Sequence, residues 1–256
     1  MKFVLLMTAS VDATGCSGAR FVASKRLLQY KKAFAFYLKV LPDLPPGTRL
    51  MFCENTGWDL SCFRDMIPES LISSVDVCEI PLDGFNKWYG KTYNEMLLID
   101  KALTAVGREE MMVVKVTGRY PIYNIEALIK DIVDQLGTGN DNVDCVCLPA
   151  QSISRRVCIT VDTRCIAFKS TFWISQIVGA YRFGDKLFFG EIMMRFLDST
   201  NTRYFRRPFF IIGEQGGYRR IGRVTLPAFF DPPLLLVSFL VRKIMSFVVP
   251  PKLTFR

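Results

Sequence analysis

Two rhythms alternate along the chain. Short apolar runs bounded by turn residues read as buried strands. Longer stretches with apolar positions recurring every three to four residues read as helices. Phe3–Thr8 predicts the first strand. Arg20–Leu41 predicts a helix, with Leu27, Leu28, Phe34 and Leu38 among its apolar positions and Pro42 at its end. Strands are expected at Arg49–Cys53 and Ser74–Ile80, with a turn at Asn55-Thr56-Gly57. Thr92–Val106 has Met96, Ile99 and Leu103 at helical spacing, and Met111–Val116 is a continuous apolar strand broken only by Lys115. Ile125–Leu136 is expected to be helical, Asp144–Leu148 and Ile159–Phe168 extended, and Phe172–Ala180 and Gly190–Leu197 helical. This alternation predicts an α/β fold with a largely parallel central sheet. Ligands of such sheets bind at the carboxyl ends of the strands.

Polar clusters fall at those ends. They are Thr8–Asp12 with Arg20 close behind, Glu54–Asp59, Lys115–Tyr120, and Gly190-Glu191 opening a helix. Any one of them reads as an ordinary turn; four at strand ends of one α/β chain point to a ligand site. The chain lacks Gly-x-x-x-x-Gly-Lys-Ser/Thr, and Gly137-Thr138-Gly139 follows a helix, the wrong context for a dinucleotide turn.

Composition narrows the chemistry. Half of the 256 residues are hydrophobic and 22% are charged, which excludes wholesale disorder. The eight cysteines form no Cys-x-x-Cys pair and mostly sit in apolar runs, as free thiols in a reducing, cytoplasmic compartment do. There is no histidine, so Ser-His-Asp and Cys-His catalysis and histidine-ligated zinc are excluded. Any catalytic base is therefore expected to be Asp or Glu. Of the formal charge of +9, +8 lies beyond residue 202. Positive charge confined in this way fits an anionic surface better than a generally basic protein.

The apolar run Phe3–Met7 is too short for a secretory leader, and no stretch of about 20 uncharged apolar residues predicts a spanning helix. Leu234–Val249 lies between two Pro-Pro pairs. On a helix, Val237, Leu240, Val241, Ile244 and Val248 share one face and Arg242 and Lys243 the other. This fits either a membrane interface or packing on the domain. The expected organisation is thus one domain over residues 1–230 and a basic amphipathic membrane-association segment over 231–256.

In order along roughly residues 1–220, the motifs resemble bacterial surface-polysaccharide glycosyltransferases of the O-antigen or capsule type. They comprise Thr8-Ala9-Ser10 with Arg20, Phe52–Leu60, Gly90-Lys91-Thr92-Tyr93-Asn94-Glu95, Lys115–Tyr120, Asp162-Thr163-Arg164 and Gly190-Glu191. The order is also similar to that of a GT-A glycosyltransferase. The resemblance implies a Rossmann-type half that binds a nucleotide-sugar donor, and a strand ending in Asp-x-Asp that holds Mn²⁺ or Mg²⁺. Here the matching strand ends in Thr117-Gly118-Arg119. Arg119 and Lys115 stand where metal-binding carboxylates would, and a guanidinium can neutralise a diphosphate. No divalent metal is therefore expected.

By the same resemblance, the donor is contacted by Thr8, Ala9, Ser10, Arg20, Glu54, Asn55, Lys91, Tyr93, Lys115, Thr117, Gly118, Arg119, Tyr120 and Arg164. Glu191 is the candidate base of an inverting reaction, or else a helix-start glutamate that complements the dipole. Asp162 is the second candidate, or else half of a structural ion pair with Arg164. Gly213–Arg220 is a loop that can close over the diphosphate or simply lie on the surface. The implied partners are a nucleotide-sugar, a glycan or lipid-linked glycan acceptor and an anionic membrane surface, with the enzyme peripheral on the cytoplasmic face. The competing expectation is a non-enzymatic basic protein that binds membrane or nucleic acid. Nucleic acid is disfavoured, because no basic stripe runs through the domain and no aromatic recognition motif is visible.

Overall fold

The computed structural model describes residues 1–16, 21–80, 86–107, 109–137, 143–152, 158–183, 187–197 and 200–211. Arg20, the loop Gly213–Arg220 and the segment 231–256 lie outside the described residues.

The described residues form nine strands: β1 (Lys2–Ala9), β2 (Arg49–Glu54), β3 (Val75–Glu79), β4 (Met111–Thr117), β5 (Cys145–Cys147), β6 (Pro149–Ser152), β7 (Cys158–Val161), β8 (Cys165–Lys169) and β9 (Thr202–Tyr204). Helices are α1 (Ala23–Val40), α2 (Ser61–Arg64), α3 (Gly90–Val106), α4 (Ile125–Leu136), the short α5 (Ser170–Phe172) and α6 (Phe189–Leu197). The main sheet has seven strands in the order β3-β2-β1-β4-β8-β5-β9. β1 to β4 are parallel, β8 runs against both β4 and β5, and β9 is parallel to β5. β6 and β7 form a separate antiparallel pair. The expected α/β fold with a mostly parallel sheet is what the chain adopts.

Strand alternation sends side chains to two cores. Leu5, Met7, Phe52, Val114 and Val116 pack with α1 and α4, where Phe34, Phe52 and Phe63 form a compact aromatic group. Val4, Leu6, Cys53, Met111 and Val113 pack with α3, α6 and the buried Trp173. Helices thus cover both faces, as a buried parallel sheet requires.

The sequence reading is corrected in two places. Ile159–Phe168 is two strands rather than one, because Asp162-Thr163-Arg164 turns the chain from β7 into β8. The helix expected over Phe172–Ala180 is present but shifted: it runs from Ser170, through the three-residue α5 and a π-helix over Trp173–Ile177, and ends before Val178. Asp100 of α3 supports that segment, accepting hydrogen bonds from Trp173 Nε1 (2.7 Å) and Gly179 N (2.8 Å). The seven cysteines whose side chains are described are free thiols, five of them buried. Among the described residues no helix is long and apolar enough to cross a membrane.

Candidate functional site

The carboxyl ends of β1, β2 and β4 converge, and Gly118 makes the approach possible. Its N–H donates to Thr8 O at 3.1 Å, and a Cβ at Gly118 would lie 2.7 Å from that oxygen and 3.3 Å from the Tyr30 ring. No other residue fits there without displacing the backbone.

On the α3 side of the sheet, alternation along β1 and β4 places Thr8 and Lys115 on one face. Lys115 is fully buried. Its Nζ donates to Glu95 Oε1 at 2.5 Å and to Thr163 O at 2.7 Å, and lies 5.3 Å from the centre of the Phe189 ring. Thr8 Oγ1 donates to the same Glu95 oxygen at 3.2 Å, and Lys91 Nζ stands 4.0 Å from Oε2. Burial acts to raise the Glu95 pKa, but Lys115 and Lys91, with hydrogen bonds from Lys115 and Thr8, hold it at about 2. For Lys91, attraction by Glu95 acts upward. Desolvation and repulsion from Arg119, Lys115 and Arg26 prevail, and the ammonium is held below the ordinary lysine range. Its side chain still presents 69% of its surface to solvent.

On the α1 side, Arg26 is buried and donates to Ser10 O through Nε (2.7 Å) and Nη2, and through Nη2 to Tyr30 Oη (3.2 Å). Ser10 N donates to Tyr30 Oη at 3.0 Å, and Ser10 Oγ to Asn55 Oδ1 at 2.6 Å. Glu54 is fully buried and accepts from Val11 N (2.8 Å), Thr56 N (2.7 Å), Trp58 N (3.1 Å) and Thr56 Oγ1. It ties the loops after β1 and β2 together. Ala9 contributes its carbonyl, which accepts from Asn55 N.

Arg119 lies just beyond β4, 7% exposed, with its guanidinium 5.0 Å from the Tyr120 ring and 5.8 Å from the Phe21 ring. Its Nη1 is buried and has no hydrogen-bond partner among the described residues. A buried donor left unsatisfied costs about 1–3 kcal/mol, more for a charged group. An anion accepting from Nη1 would remove that cost. Lys115 and Lys91 thus share one carboxylate, Glu95, and Arg119 and Arg26 lie close enough to repel Lys91, at the strand ends where α/β sheets bind ligands.

Other residues singled out in the sequence are placed as follows. The turn carrying Asp162 and Arg164 lies against β4, with Thr117 N donating to Arg164 O at 2.8 Å. The two side chains form a close ion pair, Arg164 Nε donating to Asp162 Oδ1 at 2.9 Å. Tyr93 stacks on Tyr89 at 4.5 Å and meets Tyr181 edge-on at 4.9 Å. Glu191 occupies the first turn of α6, and its Oε2 accepts from Phe188 N at 3.0 Å, reaching back to the residue that precedes the helix. Gly190 lets this end of α6 press against β7: a Cβ there would lie 2.3 Å from Val161 O. Phe189, two residues from Glu191, is the ring beside Lys115, so the start of α6 borders the cationic cluster.

Sequence reasoning missed Arg26, and it noted Glu95 only as the end of the Gly90–Glu95 motif without giving it a role. The signal for each was a charge on an apolar helical stripe. Arg26 precedes Tyr30, Ala33, Phe34 and Tyr37 on the buried side of α1, and Glu95 precedes Ile99 and Leu103 in α3.

The residues at the end of β4 do not fit a divalent cation. Thr117-Gly118-Arg119 supplies no carboxylate, and the nearby Glu95 is committed to Lys115. Among the described residues no group of three or more His, Cys, Asp or Glu is placed to hold a metal.

No family model matches the chain, and no curated protein matches it. It is similar in fold to solved structures. A cytidylyltransferase from Leptospira borgpetersenii serovar Hardjo-bovis overlaps with TM-score 0.49 at 11% identity, covering 80% of this chain and 75% of that one. A nucleoside-diphosphate-sugar pyrophosphorylase from Vibrio cholerae RC9 gives 0.46 at 13% identity, over 80% and 91%. TarS of S. aureus gives 0.47 at 12% identity, over 82% of this chain and 36% of TarS. At these values the likeness is one of chain path.

Proposed function

We propose that the protein is a glycosyltransferase that moves a sugar from a nucleotide-sugar donor to a glycan or lipid-linked acceptor. The observation that carries this reading is the buried, partnerless Nη1 of Arg119 among Lys91, Lys115 and Arg26. The arrangement suits a diphosphate. Arg119 donates to it and the exposed Lys91 closes on it, while Lys115 holds Glu95 away from it in an ion pair. The cations take the part a metal would otherwise play, so the reaction is metal-independent.

In the proposed reaction Glu191 accepts the proton of the acceptor hydroxyl. The resulting oxygen attacks the anomeric carbon, the bond from that carbon to the diphosphate oxygen breaks with inversion, and the nucleoside diphosphate leaves with the electron pair. Asp162 is the second candidate for the base, but its carboxylate is paired with Arg164. Segment 231–256 is proposed to hold the enzyme at the cytoplasmic face of an anionic membrane. Deletion beyond Pro232 is then expected to weaken partition onto anionic vesicles, measured by co-sedimentation, while the domain stays folded.

Arg119→Ala is expected to raise the dissociation constant for the cognate nucleoside diphosphate about 10- to 100-fold, as loss of a charge-assisted hydrogen bond does. Titration calorimetry with UDP, GDP, CDP and dTDP checks this. Transfer activity is expected to persist in EDTA; activity lost in EDTA and restored by Mn²⁺ would overturn the metal-independent reading. Nucleotidyl transfer, named in the cytidylyltransferase similar to this chain, is tested on the same samples. Release of pyrophosphate from a nucleoside triphosphate and a sugar phosphate would replace glycosyl transfer.

A further inference from the structure

The helical layer carrying α3 and α6 has an outer surface that the cationic site does not use. Large apolar side chains gather on it. Trp88, just before α3, is 94% exposed, and Tyr89 beside it is exposed too. Tyr89 stacks on Tyr93, which meets Tyr181, so the aromatic surface runs on into the segment after β8. There Ile174, Val178 and Phe183 are exposed, and Phe188 stands out at the start of α6. Exposing a Trp and several large aliphatic and aromatic groups on one face is unfavourable unless something covers them.

The charges on this layer identify the cover. Among the described residues of α3, 173–183 and 187–197 there are three carboxylates: Glu95, Asp100 and Glu191. Each is engaged by protein donors: Glu95 by Lys115, Asp100 by Trp173 and Gly179, and Glu191 by Phe188 N–H. The cations, in contrast, face outward. Lys101, Arg182 and Arg195 are exposed, with Arg182 stacked over Tyr181 and Arg195 over Phe183. An exposed face of Trp, Tyr, Phe and aliphatic side chains, with cations at its rim and no uncommitted carboxylate among its described residues, is complementary to the headgroup region of an anionic bilayer. The aromatic bodies enter the interface and the cations meet lipid phosphates.

We infer that the folded domain docks on anionic membranes through the face formed by Trp88, Tyr89, Ile174, Val178, Phe183 and Phe188. This contact is additional to segment 231–256, and it rests on the reading above only for the lipid-linked nature of the acceptor. α3 separates the face from the cationic site, since Lys91 and Glu95 lie on a different side of that helix from Tyr89 and Tyr93.

Trp88 provides the test, because Trp173 is buried and Trp58 is packed against the core. The full chain is mixed with phosphatidylcholine/phosphatidylglycerol vesicles carrying brominated acyl chains, and tryptophan emission is recorded. Quenching that disappears in Trp88→Phe is expected. In a second arm, the full-length Ile174→Glu/Phe183→Glu variant is expected to partition onto the same vesicles about tenfold or more weakly, from loss of buried apolar area. Its binding of nucleoside diphosphate is expected to be unchanged, so failure here is separable from failure of the glycosyltransferase reading. Co-sedimentation without Trp88 quenching would assign the contact to another surface and overturn the proposal, as would absence of vesicle binding by the wild-type chain. Vesicle-free self-association abolished by Phe183→Glu would assign the face to a second copy of the chain and also overturn it.

Discussion

Glu191→Gln is expected to lower turnover by about 10²–10⁴-fold with donor affinity nearly unchanged. In the proposed reaction the acceptor is a sugar hydroxyl, a poor nucleophile at neutral pH, and in a chain without histidine the base proposed for it is a carboxylate. Glu191 lies at the start of α6, two residues from the Phe189 ring beside Lys115. It also has a structural duty, since its Oε2 accepts from Phe188 N. The glutamine variant separates the two roles. An amide oxygen serves as well as a carboxylate in this back-bonded position, so the helix start is preserved while the basicity is lost. Glu191→Ala removes both and is expected to lose some stability as well. Single-turnover kinetics beside thermal melts distinguish these outcomes. A Gln variant that turns over like the wild type, with an Ala variant that melts earlier, would leave Glu191 only its capping role and move the search for the base to Asp162.

The parts of this fold legible in the sequence are those where periodicity is long and uninterrupted. Ile125–Leu136 is helical over the predicted span because its apolar stripe is regular, and β1, β2 and β4 are continuous apolar runs buried between two helical layers. Short elements were not legible. β6 and β9 have four and three residues, too few for an alternation to register, and the break between β7 and β8 is made by a polar turn inside a run that otherwise reads as one strand. At the strand ends, the polar clusters were legible in the sequence but not how their groups divide the work. Glu54 and Lys115 both read as polar residues at strand ends. Only the fold shows that Glu54 is spent on four protein donors while Lys115 holds a carboxylate from a helix twenty residues upstream. Pairings of this kind depend on which face of the sheet each residue occupies and on what the opposing helix brings there. A one-dimensional pattern does not carry that information.

Lys115→Met is expected to destabilise the fold by about 3–5 kcal/mol, the usual consequence of removing one partner of a buried ion pair. Lys115 is fully buried on β4, and Glu95 is only 11% exposed at its side chain. Without Lys115, Glu95 keeps only Thr8 and the more distant Lys91 as partners, and burial would then favour its protonation. The pH dependence follows from the same pair. In the folded protein Glu95 titrates at about 2, below the carboxylate value of 4.5 that serves for the unfolded chain. The unfolded state therefore binds the proton more readily as pH falls. The contribution of Glu95 is fully present above pH 4.5 and is lost as pH falls towards 2. In Lys115→Met that acid-dependent loss is expected to shrink, because the cation that lowers the folded pKa is gone. Lys115→Met with Glu95→Leu is expected to recover much of the stability at neutral pH, since two apolar groups in a dry site leave no unpaired charge. Nucleoside diphosphate binding by the double variant reads the role of Lys115 separately: Lys115 and Glu95 leave together without a change in net charge, so a stable double variant that binds as tightly as the wild type would remove Lys115 from the anion site, and weakened binding would keep it there. Denaturant titrations from pH 7 to pH 3, with calorimetric nucleotide binding on the same proteins, measure both quantities.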